Sequence, residues 1–104
     1  MSTDTDVVVS EKIKPKLDLA PPQLYNVIYM NDEVTTMEFV IASLVEIFNH
    51  SDENAQVLCD KVHADGSAIV ATLPYELAEQ KGVEATVLAR NNGFPLLIKL
   101  EPAI

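Results

Sequence analysis

From residue 23 to residue 30 the chain reads QLYNVIYM, a run of β-branched and aromatic residues that predicts a strand stopping at Asn31. Past it the period changes. Met37, Val40, Ile41, Leu44 and Phe48 recur at helical spacing to about Asn49, and Thr35 with Glu38 three residues later forms a capping box at the start. Ser51 followed by Asp52 and Glu53 opens a second helix, with Ala55, Leu58, Cys59 and Val62 as its apolar face and Gly66 as its C-cap. The short apolar run over residues 67–73 predicts another strand, and Pro74 suits the first turn of a third helix. That helix is striped by Leu77, Ala78, Lys81, Ala85 and Leu88, with Lys81 the odd member. Asn91, Asn92 and Gly93 supply left-handed geometry where it ends, and PLLIKLE after Phe94 reads as a closing strand.

The element order is therefore β-α-α-β-α-β, which predicts an α+β sandwich of two layers: a three-stranded sheet with the helices on one face, and right-handed crossovers wherever parallel strands join. Residues 1–22 are rich in Ser, Thr, Asp and Lys, lack sustained periodicity and end in Ala20-Pro21-Pro22, which blocks helix propagation. The expectation is a flexible N-terminal extension over residues 1–22 and one domain over residues 23–104.

Composition narrows the partners. Hydrophobic residues make up 48% of the chain while aromatics make up 6% and Trp is absent, so both the core and any pocket should be aliphatic. Sixteen acids against seven bases give a formal charge of -9, which disfavours nucleic acid and anionic membrane. Lys12, Lys14 and Lys16 lie in the extension, so the folded part is the more acidic and its natural complement is cationic. A single cysteine, Cys59, excludes an internal disulfide, and the start of the chain has neither an apolar run nor a basic leader. These features point to a cytoplasmic protein.

Three residues stand together at the first strand-to-helix joint: Asn31, Asp32 and Glu33, one amide oxygen and two carboxylates. Asn and Asp at such a joint make Asx-turns and caps without any ligand. A cap, however, needs one acceptor, and here there are three. His63, in the last turn of the second helix, is favourable to the helix dipole on its own account, and as neutral imidazole near pH 7 it also offers a lone pair to a donor. Cys59 and His63 at i and i+4 are the smallest kit for nucleophilic catalysis, yet Cys59 continues the apolar repeat and no oxyanion motif accompanies it. His50, His63 and Cys59 lack the paired spacing of metal ligands, and neighbouring acids do not by themselves make a hydrolase. No catalytic residue, metal or cofactor is expected.

YNVIYMNDEVTTMEFV, together with KVHADGSAIV, LAEQKG and the closing FPLLIKLE, resembles the ClpS family of adaptors, which deliver N-degron substrates to the ClpA unfoldase of the ClpAP protease. The likeness runs over residues 21–101 in the same order. It implies a pocket for the first residue of a substrate, with the α-amino group held by Asn31, Glu33 and His63, Asp32 beside it, and an apolar cavity lined by Thr35, Met37, Val40, Cys59, Val62 and Leu96. It implies bound partners that begin with Leu, Phe, Tyr or Trp, with Met37 gating against β-branched first residues. Glu76 and Lys81 match positions used against the unfoldase's N-terminal domain, and the extension would engage the ATPase ring. Glu33 stands where the family usually has Asp, Cys59 where some members have Met, and Thr36 where Pro is common. A free ammonium brings three N–H donors and a charge, which the amide oxygen of Asn31, the carboxylate of Glu33 and the neutral imidazole of His63 would answer.

The expectation is a monomeric, non-enzymatic adaptor. One alternative is a general interaction module related to the C-terminal domain of the ribosomal stalk protein, indifferent to a free amine. A second is a thiol enzyme built on Cys59 and His63, which Cys59→Ala would abolish.

Overall fold

The computed structural model describes residues 21–104. Six elements follow one another: β1 (Leu24–Met30), α1 (Met37–Phe48), α2 (Asp52–Asp65), β2 (Ser67–Pro74), α3 (Tyr75–Asn91) and β3 (Leu97–Pro102). This is the order and the α+β class that the periodicities predict. The extension expected over residues 1–22 lies outside the described residues but for Pro21 and Pro22.

The sheet order is β2-β1-β3, so the first strand sits in the middle. Both pairings are antiparallel, which leaves β2 and β3 parallel to each other on either side of β1 and joined through α3, the one connection to which the crossover rule applies. Along β1 the side chains alternate: Val27 and Tyr29 are buried beneath the helices, while Asn26 and Ile28 lie on the outer face. The register slips between Val27 and Ile28, a bulge that gives β2 one extra residue there.

The core joins the inner face of the sheet to Val40, Leu44 and Ile47 of α1, Ala55, Cys59 and Val62 of α2, and Ala78, Ala85 and Ala89 of α3. The alanines bring α3 close to the sheet. Tyr29 is fully buried, and its hydroxyl lies 2.8 Å from Ser43 Oγ. Ser43 in turn donates to the Val40 carbonyl at 2.8 Å, so both buried hydroxyls are satisfied within one chain of hydrogen bonds. Burial pushes the Tyr29 phenol up to about 12, with the Ser43 bond pulling the other way.

Two local expectations are corrected. The N-cap of α1 is Thr36, not Thr35: Thr36 Oγ1 accepts from the Phe39 N–H at 3.1 Å. Glu38 is then one position too early for a reciprocal bond, and the capping box does not form. The cause is Asp32, which recruits the Thr35 hydroxyl instead. Pro74 is the last residue of β2 and the N-cap of α3, so the first helical residue is Tyr75. Lys81 sits in the α3 stripe because its Nζ reaches the Ile47 carbonyl at 2.9 Å, serving an acceptor that the end of α1 leaves free. Among the described residues no helix is long and apolar enough to cross a membrane.

Candidate functional site

The site begins where β1 ends. The Asn31 N–H donates to the Gly66 carbonyl at 2.9 Å, stitching the end of the central strand to the end of α2. Gly66 can occupy this corner because it adopts φ +90°, and its own N–H caps Val62 at 2.9 Å. Since His63 lies in the last turn of α2, the stitch brings Asn31 and His63 to one rim. The same rim receives the C-terminal, negatively polarised end of a helix, a setting that favours a cation.

From Asn31 the chain turns through two side-chain caps in series. Asp32 Oδ1 accepts the Val34 N–H at 2.8 Å and the Thr35 N–H at 2.7 Å, and Oδ2 accepts the Thr35 hydroxyl at 2.8 Å. Thr36 then caps α1. Partial burial raises the Asp32 carboxyl, but the bonds from Thr35 and Val34, helped by the charge of Arg90, outweigh it and hold it below its ordinary value. Asp32 is thus committed to folding the loop. Among the described residues no hydrogen bond engages the Asn31 side-chain amide, the Glu33 carboxylate or the His63 imidazole, which remain as acceptors.

Below that rim lies a cavity of ≈ 460 Å³ between the first turn of α1 and the second half of α2. Met37 and Val40 form one wall and Cys59 and Val62 the other, with Cys59 Sγ 3.7 Å from the Met37 carbonyl. Burial, with the charge of Asp60, raises the Cys59 thiol, so it is a small apolar wall element at neutral pH rather than a thiolate nucleophile. The volume, rim included, falls within the range of cavities that hold small ligands.

Of the ten residues the sequence singled out for amine and side-chain recognition, the cavity is lined by nine: Asn31, Asp32, Glu33, Thr35, Met37, Val40, Cys59, Val62 and His63. Leu96 is not on this wall. It is 1% exposed within the core, and its carbonyl accepts from Arg90 Nη1 at 2.9 Å. Conversely, Val34 and Thr36 line the cavity and were not singled out. Both lie inside the turn that Asp32 organises, so a loop of that length closing on α1 was the available signal. Glu76 is exposed in the first turn of α3, and Lys81, half-buried five residues further on, faces Ile47. Among the described residues no three His, Cys, Asp or Glu side chains gather to hold a metal ion.

Fold and site together define a small α+β binding domain with a polar rim over an apolar pocket. Residues 20–99 match the family described as "ATP-dependent Clp protease adaptor protein ClpS". The chain belongs to the ClpS family, the adaptor proteins of the ATP-dependent Clp protease. It is 42% identical over 94 residues to the ClpS adapter of Treponema denticola, spanning 90% of this chain and 87% of that one. With the ClpS adapter of Vibrio cholerae the identity is 39% over 103 residues, spanning 99% and 93%. The solved structure of Agrobacterium tumefaciens ClpS2 bound to L-phenylalaninamide superposes with a TM-score of 0.76 at 38% identity, covering 79% of this chain and 99% of that one. These relatives are named as adaptors rather than enzymes.

Proposed function

We propose that this chain captures proteins by a free N-terminal residue with a bulky hydrophobic side chain and hands them, in the cytoplasm, to a ClpA-type unfoldase. The observation that carries the reading is the joining of three acceptors, Asn31, Glu33 and His63, to one apolar cavity walled by Met37, Val40, Cys59 and Val62. An α-ammonium matches the rim in donor count and in charge, and an aromatic or branched aliphatic side chain matches the floor. The ligand of the Agrobacterium relative, L-phenylalaninamide, has this pairing of amine and apolar side chain.

Burying a Leu or Phe side chain contributes about 1.5 to 3 kcal/mol, and with charge-assisted hydrogen bonds this supports roughly micromolar affinity after the entropy of association. Capture of that strength is releasable, which delivery requires. Glu76 and Lys81 are the contacts proposed for the unfoldase's N-terminal domain; Lys81 keeps two of its three N–H donors beyond the bond to Ile47. No bond is made or broken by the adaptor itself.

The test is a calorimetric titration with one peptide headed by Leu, free and N-acetylated. Acetylation removes the charge and leaves desolvated acceptors unpaired at about 1 to 3 kcal/mol each, so the capped peptide should bind at least tenfold more weakly. Equal affinities would end the proposal. Peptides varied only at the first residue then rank Leu, Phe, Tyr and Trp.

A further inference from the structure

Among the described residues β2 and β3 are both edge strands, and they are covered differently. On the β2 side, Ala68 and Val70 are buried, and His50 Nε2 reaches over the strand to 2.7 Å from the Val70 carbonyl. On the β3 side the sheet has no further strand among the described residues, and a groove of ≈ 220 Å³ runs between β3 and α3, lined by Glu79, Gly82, Val83, Val87, Ile98 and Leu100 among others. Ile98 and Leu100 pair in register with the buried Tyr29 and Val27, yet they remain half-buried. Val83 and Val87 are 56% and 52% exposed. A Cβ on Gly82 would rest 3.8 Å from both Ile98 Cγ2 and Leu100 Cδ2, so the space it would fill is the floor of the groove.

The charge around the groove is one-sided. α3 carries Glu76, Glu79 and Glu84 against Lys81 and Arg90. Both cations are turned to backbone carbonyls: Lys81 to Ile47, and Arg90 to Phe94 and Leu96 at 3.0 and 2.9 Å. Among the described residues Glu79, which lines the groove, has only the Tyr75 hydroxyl at 3.4 Å. An unpaired strand edge, an apolar trough beside it and an uncompensated acid on its lip call for a complement that is extended, apolar on one face and cationic.

We propose that this edge is a second binding site, which takes an extended segment of a partner protein as a fourth strand beside β3. Its inward side chains are Val or Ile in the trough, with a Lys or Arg against Glu79. Pro102 has no N–H to donate and ends the edge, so the segment pairs over about five residues. None of the groove residues lines the N-terminal-residue cavity, so both sites can be filled together.

The full chain is used to select from an immobilised library of random nonapeptides, all N-acetylated so that the amine rim cannot take them. The expected selection is Val or Ile at every second position, with a Lys or Arg at one further position of that same inward-facing set. A selected peptide should lose about tenfold in affinity, 1.4 kcal/mol, for Val83→Glu and for Gly82→Ala. The second substitution fits the helix and fills the floor. Saturating L-phenylalaninamide should change nothing, and amide shifts should fall on α3 and β3. The proposal is overturned by no consensus, by a helical i, i+4 consensus, by undiminished binding to both variants, or by shifts centred on Asn31 and His63.

Discussion

Asp32 and Thr35 are tied twice: the Thr35 N–H donates to Oδ1 at 2.7 Å and its hydroxyl to Oδ2 at 2.8 Å. This pair, with the Val34 N–H, shapes the loop that carries Asn31 and Glu33 to the rim. Asp32→Ala should therefore weaken capture of a Leu-headed peptide by roughly fivefold, about 1 kcal/mol, although Asp32 acts only by shaping the loop. Because the folded carboxyl is held below its ordinary value, its bonds contribute fully above the ordinary carboxylate range and are lost only as pH falls through the depressed value. In an NMR titration, the Val34 and Thr35 amides should shift only in strongly acidic solution. A midpoint at or above about pH 4, the ordinary Asp value, would contradict this.

Rim and floor should separate by mutation. Asn31→Ala, Glu33→Gln and His63→Ala each remove one acceptor of the ammonium, and each is expected to lower affinity for a free-amine peptide by about 1 to 3 kcal/mol, or roughly 5- to 150-fold. The acetylated peptide should bind all four proteins alike. All three residues are exposed, so thermal unfolding should move by no more than about 0.5 kcal/mol. Glu33→Asp withdraws the carboxylate by one methylene; a gain in affinity would mean that Glu33 overreaches the amine. A rim variant that loses binding only in proportion to its stability would count against the acceptor assignment.

Much of this was readable from the chain because local signals agreed. β-branched runs, two helical stripes and the Ser51 and Gly66 caps each specify an element without tertiary help, and all six elements appear. What failed was competition between neighbours. Thr35 and Thr36 are equally good N-caps in sequence, and only the position of the Asp32 carboxylate decides which one is free to cap. Lys81 looked misplaced on an apolar stripe because its acceptor, Ile47, is 34 residues away. Ser43 was invisible for the same reason, its buried partner Tyr29 lying on another element. Leu96 was drawn to the pocket by resemblance, and packing put it in the core.

Cys59 divides an adaptor from a thiol enzyme. Burial keeps its thiol protonated near neutrality, so iodoacetamide should label it slowly at pH 7, faster in alkali, and more slowly still with L-phenylalaninamide in the cavity. Cys59→Ala should retain capture, at a cost in stability of about 1 kcal/mol for the small void. Cys59→Met should narrow the cavity and turn preference from Trp toward Leu. Complete loss of function in Cys59→Ala with the fold intact would reinstate the enzyme.

Tyr29 makes the fold sensitive to alkali. Burial raises the folded phenol to about 12 against an ordinary value of 10, so the neutral form is the one the core accepts. The sign follows from proton counts. Between those values the unfolded chain has released the proton and the folded chain holds it, so stability is fully present below pH 10 and declines as pH rises toward 12. Two pH units correspond to about 3 kcal/mol, a large share of the stability of a domain this size. Tyr29→Phe removes the titrating group and leaves Ser43 donating to the Val40 carbonyl, so the variant should begin about 1 kcal/mol less stable and then lose less than the native protein as pH climbs. Urea unfolding at intervals from pH 8 to 11 would show the two curves converging. Parallel curves would mean that the alkaline sensitivity does not belong to the hydroxyl beneath Ser43.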